Sequence, residues 1–282
     1  MTPGYHRMTA EQYHADPAPQ PSLSSSMARI LLSESPYKAW YSHPRLNPAY
    51  QERHEDKFDM GTASHAMLLE NDASRIVTVE ADDWRTKAAK EAREAARAAG
   101  KTALLARHHA AVSKMVEVAK AFIAQSEIAE LWAGGESEVT ALCQDNGVWL
   151  RARFDRFNAG ARFIGDYKST VDASPEPFSR LLIRMGYHFQ DGFYRRVARI
   201  LGVQEPRFVF LAQSVEPPHE CSLHGCDPAL QEIADLEVQT AIDQWRQCLT
   251  SRKWPSYGGR IHWAIPTNWQ MTMHEQRLQE AA

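Results

Sequence analysis

A chain of 282 residues that is 44% hydrophobic and 24% charged has the length and composition to bury a sizeable core as one large domain. It contains no apolar run of roughly 18 residues, no apolar signal core in its opening MTPGYHRMTAEQYHADPAP, and only four cysteines, so a membrane span, secretion and a disulfide framework are all excluded from the reading and a cytoplasmic protein is expected. A net charge of −3 rules out a uniform basic coat, yet residues 151–200 hold ten Lys/Arg against five acids, a local +5 that leaves −8 elsewhere. Such a field suits a polyanionic substrate; a solvated basic face is the alternative.

In chain order, residues 1–23 are polar and proline-bearing and read as a flexible segment. Ser24-Ser25-Ser26 ahead of Met27–Leu32 offers an N-cap and a short apolar helix. Ser35-Pro36 restarts a second helix through Tyr37 and Trp40, and residues 43–58 read as loop. Gly61-Thr62 opens a helix in which Ala63, Ala66, Met67 and Glu70 recur at helical spacing. Residues 76–80 read as a strand, 84–100 as a charged alanine-rich helix and 102–123 as an amphipathic one, the pair suited to an arm or lid. The period then changes to two. Strands are expected at 138–142, 148–157 and 162–169, with turns at Asp145-Asn146-Gly147 and Asn158-Ala159-Gly160. A long helix follows over 175–199, with Pro175 at its permitted first position. A strand at 207–212, a break at Pro217-Pro218, a helix over 228–250 and an irregular tail from Trp254 complete the chain. This order predicts an α/β protein with a mixed central β-sheet flanked by helices.

Chemistry concentrates in Arg153-Phe154-Asp155 and Phe163-Ile164-Gly165-Asp166-Tyr167-Lys168. Residues two apart on a strand share a face, so Asp166 and Lys168 point one way and Tyr167 the other. Asp155, one hairpin earlier, can oppose the end of that strand. Two carboxylates with the Tyr167 backbone carbonyl would hold a hard divalent cation, and Lys168 could stabilise developing negative charge. As plain structure the same residues would be turn carboxylates in an exposed ion pair; the apolar run 163–165 argues instead that Asp166 emerges from a buried strand. Gly100-Lys101-Thr102 is not read as a phosphate-binding loop, because Ala95 stands five positions before Gly100 and the preceding segment is helical.

With Glu138 and Asp155 upstream, and Gly186-Tyr187-His188-Phe189-Gln190 and Tyr194 downstream, the Asp166-Tyr167-Lys168 strand resembles the core of the PD-(D/E)xK nuclease superfamily. More narrowly it resembles the phage and prophage exonuclease domain of the RecE (exodeoxyribonuclease VIII) type. Gly61-Thr62-Ala63-Ser64-His65-Ala66, the block Ser25-Ser26…Leu31-Leu32…Ser35-Pro36 and the closing Trp254-Pro255-Ser256-Tyr257 are similar to that group as well. The resemblance implies a restriction-endonuclease-like fold in one domain over 24–270, with a helical elaboration over 24–135, a nuclease core over 136–250 and a tail over 271–282. It implies that His65, Asp155 and Asp166 bind metal, that Lys168 is catalytic, and that Gln190 and Tyr194, four apart on a helix, position DNA or brace the carboxylates. Asp166 stands where the superfamily often has Glu. Glu138 could add a carboxylate, with Glu136 as its competitor. The activity implied is a Mg²⁺-dependent DNA exonuclease, Mn²⁺ substituting, that degrades one strand of linear duplex from 5′ to 3′ and leaves 3′ tails for a single-strand annealing partner. A homo-oligomer, a tetrameric ring among the options, is implied too. A structure- or site-specific endonuclease and a non-catalytic DNA-binding protein on the same fold are the alternatives. Cys221 and Cys226 with His219 and His224 superficially suggest zinc; Cys143 and Cys248 are spaced unlike the iron–sulfur ligands of related nucleases, so no cluster is expected.

Overall fold

The computed structural model describes residues 1–51, 59–70, 74 and 76–280. The expected loop over 43–58 therefore lies outside the described residues from 52 onward.

The chain opens with β1 (Gly4–His6), α1 (Ala10–His14), β2 (Leu23–Ser24), α2 (Ser25–Ser33) and α3 (Pro36–Tyr41). After α4 (Asp59–His65) and a π-helical turn (Ala66–Glu70) come β3 (Ile76–Val79), α5 (Lys87–Ala98), β4 (Thr102–Leu105), α6 (Ala106–Gln125) and α7 (Ala129–Ala133). The core elements are β5 (Glu136–Asp145), β6 (Val148–Asn158), β7 (Phe163–Thr170), α8 (Pro175–Arg184), α9 (Tyr187–Ile200), β8 (Arg207–Ser214), β9 (Cys221–His224) and α10 (Pro228–Ser251), with α11 (Asn268–Glu280) last.

Seven strands form one mixed sheet in the order β1-β5-β6-β7-β8-β9, with β2 parallel to β6. The β5–β6 and β6–β7 hairpins are antiparallel, while β7 and β8 run parallel because α8 and α9 carry the chain across the sheet between them. Alternation on β8 shows how both faces are buried. Phe208, Phe210 and Ala212 pack with α2, α9 and α10, whereas Val209 and Leu211 pack with α6, α7 and the π-helical turn. A helix-covered mixed sheet is the expected α/β fold. Among the described residues no helix is long and apolar enough to cross a membrane.

Four sequence expectations need correction. Residues 1–23 are not a loose segment: β1 forms the edge strand beside β5, and Thr9 with Gln12 makes a capping box on α1. Asp16, 4% exposed, accepts both the backbone N–H and the hydroxyl of Ser22, whose carbonyl receives the buried Arg151 guanidinium. The helix expected over 175–199 breaks at Gly186, whose φ of 67° suits a residue without Cβ and ends α8 before α9 begins. The helix expected from 102 starts as strand β4, paired in parallel with β3. Its remainder, α6, is no protruding arm, since Met115, Val116, Ala119 and Ile123 are buried along it. Finally, the tail carries α11, in which no residue is buried.

Candidate metal centre

The site is assembled where β5, β6 and β7 pass under α4 and α9. On β7, Asp166 is 1% exposed and Lys168 emerges on the same face, with Nζ 2.5 Å from Asp166 Oδ2. Tyr167 turns to the other face, where its hydroxyl donates to Gln213. The β6–β7 ladder ends at Arg156↔Gly165. Asp155 is the next residue on β6, and in place of a ladder bond its Oδ2 accepts the Tyr167 N–H at 2.9 Å. On β5 the register runs Ser137↔Arg156 and Val139↔Phe154, which sets Glu138 opposite Asp155. Glu138 has a φ of 57°, a left-handed backbone that glutamate rarely adopts and that concentrates at functional sites. Arg153, two residues before Asp155 and on its face, clamps the Glu138 carboxylate.

His65 closes the triad from above. It ends α4 just where the helix widens into the π-helical turn, a distortion frequent at functional sites. Gly61 permits the close approach, because a Cβ there would meet the Ser169 hydroxyl at 2.7 Å. His65 Nε2 lies 3.2 Å from Asp155 Oδ2 and Nδ1 lies 3.5 Å from Glu138 Oε1. Among the described residues, His65, Glu138 and Asp155 are the group whose ligand atoms fall within 4.8 Å of one another. Asp166 stands beside them with Oδ1 held by the Gln190 side-chain amide at 2.6 Å and Oδ2 facing Lys168. Glu136, the competitor of Glu138, is on the surface and pairs with Arg7.

The protonation pattern follows from burial and crowding. Burial alone would lower the His65 pKa, but Asp155, Glu138 and Asp166 together raise it to about 9. Burial opposes ionisation of Asp155, yet His65, Lys168 and the Tyr167 N–H hold its pKa below the usual value. Burial and the charge on Asp155 raise Glu138 despite His65 and Arg153. Asp166 is raised to about 6, burial outweighing Lys168. Lys168 is raised as well, because Asp166 and Asp155 overcome its own burial, so it is a cation at neutral pH. An imidazolium therefore supplies positive charge where the carboxylates converge, and it would have to give up its proton to act as a metal ligand. Glu138 Oε1 is buried with no hydrogen-bond partner, an unmet demand that a divalent cation would satisfy. Carboxylates with one imidazole form a donor set for Mg²⁺ or Mn²⁺.

The helix α9 supports the site through several side chains. Gln190 reaches Asp166. The Tyr187 ring centroid lies 5.0 Å from Lys168 Nζ, a cation–π contact that its place in the Gly186–Gln190 motif did not foretell. Tyr194, 8% exposed, meets Phe154 and Phe208 edge-on, and burial together with the nearby charges of Asp166 and Asp155 raises its pKa well above the usual value. Arg153 was also missed as a site residue, although its place two before Asp155 could have revealed it.

The excess of positive charge over 151–200 does not form the open field expected from composition. Arg151, Arg153, Arg195 and Arg196 pair with Asp16, Glu138, Asp191 and Asp145, and Arg156 donates to the Trp132 carbonyl and the Ser137 hydroxyl. Arg162, Arg180 and Arg199 pair with Glu205, Glu176 and Asp235, and Lys168 with Asp166. Of the ten cations, Arg156 and Arg184 have no carboxylate partner among the described residues, and Arg156 is held by the carbonyl and hydroxyl just named. Cys221 packs on the α6 side of the sheet and Cys226 on the α9 side, while His219 meets the Ser214 carbonyl and His224 the Ser222 hydroxyl. These four residues are parts of the β8–β9 corner and are not gathered around a common point.

Comparison with known proteins agrees with the fold. A profile for the PDDEXK-like domain of unknown function DUF3799 matches residues 25–266. The fold superimposes on the crystal structure of a candidate exonuclease from Eubacterium rectale with a TM-score of 0.62 and 11% identity, covering 95% of this chain and 98% of that one. At that identity the likeness speaks for the shared fold. No functionally curated protein matches the sequence.

Proposed function

The chain belongs to the PDDEXK-like family DUF3799, and on that premise we propose that it is a Mg²⁺-dependent deoxyribonuclease acting on the ends of linear duplex DNA. The observation that carries the reading is the convergence of His65, Glu138 and Asp155 beside an Asp166–Lys168 pair, around a buried carboxylate oxygen with no hydrogen-bond partner.

His65, Glu138, Asp155 and Asp166 would hold the cation, with the Tyr167 carbonyl as a further oxygen. When bound, the cation acidifies a water and offsets charge on the scissile phosphate. The remaining work falls to the chain's own groups. Lys168, kept protonated by two carboxylates, is suited to orienting the water and stabilising charge that develops on phosphate oxygens, and not to accepting a proton. Gln190 fixes the Asp166 carboxylate, and Arg153 fixes Glu138. The imidazole among the oxygens favours Mn²⁺ as a working substitute. Attack from the 5′ end, 3′ tails passed to a single-strand annealing protein, and a ring-forming homo-oligomer extend the proposal along the RecE-type resemblance.

The test is Mg²⁺-dependent digestion of end-labelled linear duplex blocked at one end, alongside covalently closed circles, with wild type, Asp166→Ala and Lys168→Ala. Degradation from the free end that both substitutions abolish is the expected result. Cutting of closed circles would replace the exonuclease with an endonuclease. DNA binding without cleavage by wild type would reduce the protein to a binding module, and unchanged rates in both variants would refute the site.

A further inference from the structure

Glu138 carries the strained backbone of the centre, and a left-handed glutamate persists only where its surroundings over-determine it. Packing does not supply this on every side. Glu138 borders a cavity of about 650 Å³ that Met8, Thr9, Gln12 and Arg153 also line. Its carboxylate is held by the Arg153 guanidinium, and that fork is shared between two acceptors. Nε donates to Glu138 Oε2, while Nη1 donates to the Met8 carbonyl at 2.9 Å.

The amino-terminal segment grips β5 on both sides of this residue. The β1–β5 ladder runs to His6↔Thr140 and stops there, two positions from Glu138. Past that point other contacts take over: Arg7 reaches Glu136 at 2.6 Å, and Met8 turns its carbonyl to Arg153. The far end of the segment is anchored to the same face of β6. Arg151, two before Arg153, donates to the Ser22 carbonyl at 2.7 Å and to the Ser22 hydroxyl at 2.8 Å. All of these amino-terminal contacts lie upstream of residues 25–266, the stretch that matches the family. Charge alone argues against an arginine here, because a guanidinium beside a metal carboxylate repels the cation. What Arg153 contributes is orientation, and removing a hydrogen bond that orients a ligand typically costs about 10–100-fold in metal affinity.

We propose that residues 4–9 are a strap that sets the metal affinity of the centre: the Met8 carbonyl fixes the Arg153 guanidinium, and Arg153 in turn presents Glu138 to the cation. Arg153 is then a positioning residue, acting through Glu138 and not on the substrate. This rests on the metal-dependent reading of the site and deepens it, by adding to the centre a segment outside the shared domain.

The experiment is calorimetric titration with Mn²⁺ in the absence of DNA, on wild type, Arg153→Met, Arg153→Lys, a deletion of residues 1–8, and that deletion combined with Arg153→Met. The deletion keeps Asp16 and Ser22, so Arg151 retains its partners. Arg153→Met should weaken Mn²⁺ binding about 10–100-fold. The deletion should weaken it about tenfold, and so should Arg153→Lys, which keeps the charge but has no fork to bridge two acceptors. The combined variant should bind no more weakly than Arg153→Met alone, because both changes cut one chain of contacts. Tighter binding by Arg153→Met would show the arginine acting by charge alone and overturn the proposal. Additive losses, or a deletion with wild-type affinity, would overturn it too. Should the deletion fail to fold, Arg153→Lys decides: wild-type affinity there refutes the strap, and a tenfold loss upholds it. Wild type that takes up no Mn²⁺ would refute the metal centre itself.

Discussion

Replacing Asp166 by Asn should abolish activity and yet stabilise the metal-free protein. Asp166 is 1% exposed, and burial raises its pKa from 3.8 to about 6 even with Lys168 alongside. A raised carboxylate contributes stability that is fully present below the unfolded value and is lost as pH rises through the folded one. At about 1.4 kcal/mol per pH unit, the charged form costs the fold about 3 kcal/mol at pH 8 and roughly half that at pH 5. Asparagine keeps the shape and the acceptor for Gln190 while removing the charge. Urea unfolding in EDTA should therefore show a gain of about 3 kcal/mol at pH 8 that shrinks as pH falls and vanishes near 3.8, together with a loss of activity on the order of 10²–10³-fold. Saturating Mg²⁺, at about 100 times its Kd, should restore about 2.7 kcal/mol to wild type and far less to the variant. The opposing possibility has its own magnitude: breaking a buried pair that outweighs desolvation costs about 3–5 kcal/mol. A variant destabilised by that amount at pH 8, or a pH-independent difference, would refute the reasoning.

Other outcomes follow from the same structure. Burial, with Arg151 adding to it, lowers the His43 pKa to about 4, so its stabilisation is complete above pH 6.5 and falls away toward pH 4; the acid loss, up to about 3 kcal/mol, should be largely absent in His43→Gln when melting is followed against pH. Gln190→Ala should lower kcat about 10–100-fold through the loss of one donor to a charged carboxylate, with Tm little changed, whereas Tyr194→Phe should leave kcat within a few-fold because it keeps the ring that packs against Phe154 and Phe208. Gly165→Ala should destabilise by about 1–3 kcal/mol in chemical unfolding, since its Cβ would meet the Trp132 ring at 2.8 Å. Deleting residues 1–23 should cost at least about 3 kcal/mol by leaving Arg151 buried without Asp16 and Ser22.

The hairpins β5–β6–β7 and the Asp166-Lys168 pair were legible because alternation with glycine turns is a local signal that places side chains directly. The α4 histidine and the α9 glutamine were legible through the company they keep, not through spacing. What escaped has a common cause. A three-residue edge strand such as β1 has no period to detect; it exists because β5 offers unpaired backbone groups. Strand β4 adjoins a helix-forming run and is fixed only by β3, 26 positions away in register. Gly186 in a helical pattern looks tolerable until the sheet demands that α8 and α9 diverge. Glu138 could not be told from Glu136 by sequence, since only its left-handed backbone turns it inward. The arginines misled most, because a charge count is blind to the partner each charge meets in the fold.

Those arginines have a consequence for how DNA binding should respond to salt. Each phosphate neutralised by a protein cation releases counterion and steepens the decline of log K with log salt by about 0.9. If the whole 151–200 window met DNA, its ten cations would predict a slope near −9. With Arg151, Arg153, Arg156, Arg195 and Arg196 held in buried or half-buried contacts and Lys168 by Asp166, the window offers at most the exposed Arg162, Arg180, Arg184 and Arg199, three of them in weak surface ion pairs. Its share of the slope should then lie between about −1 and about −4. On the proposed function, an enzyme built this way would lose its hold on DNA less steeply with salt than its charge count suggests, and would keep working at ionic strengths that strip a basic-faced nuclease from its substrate.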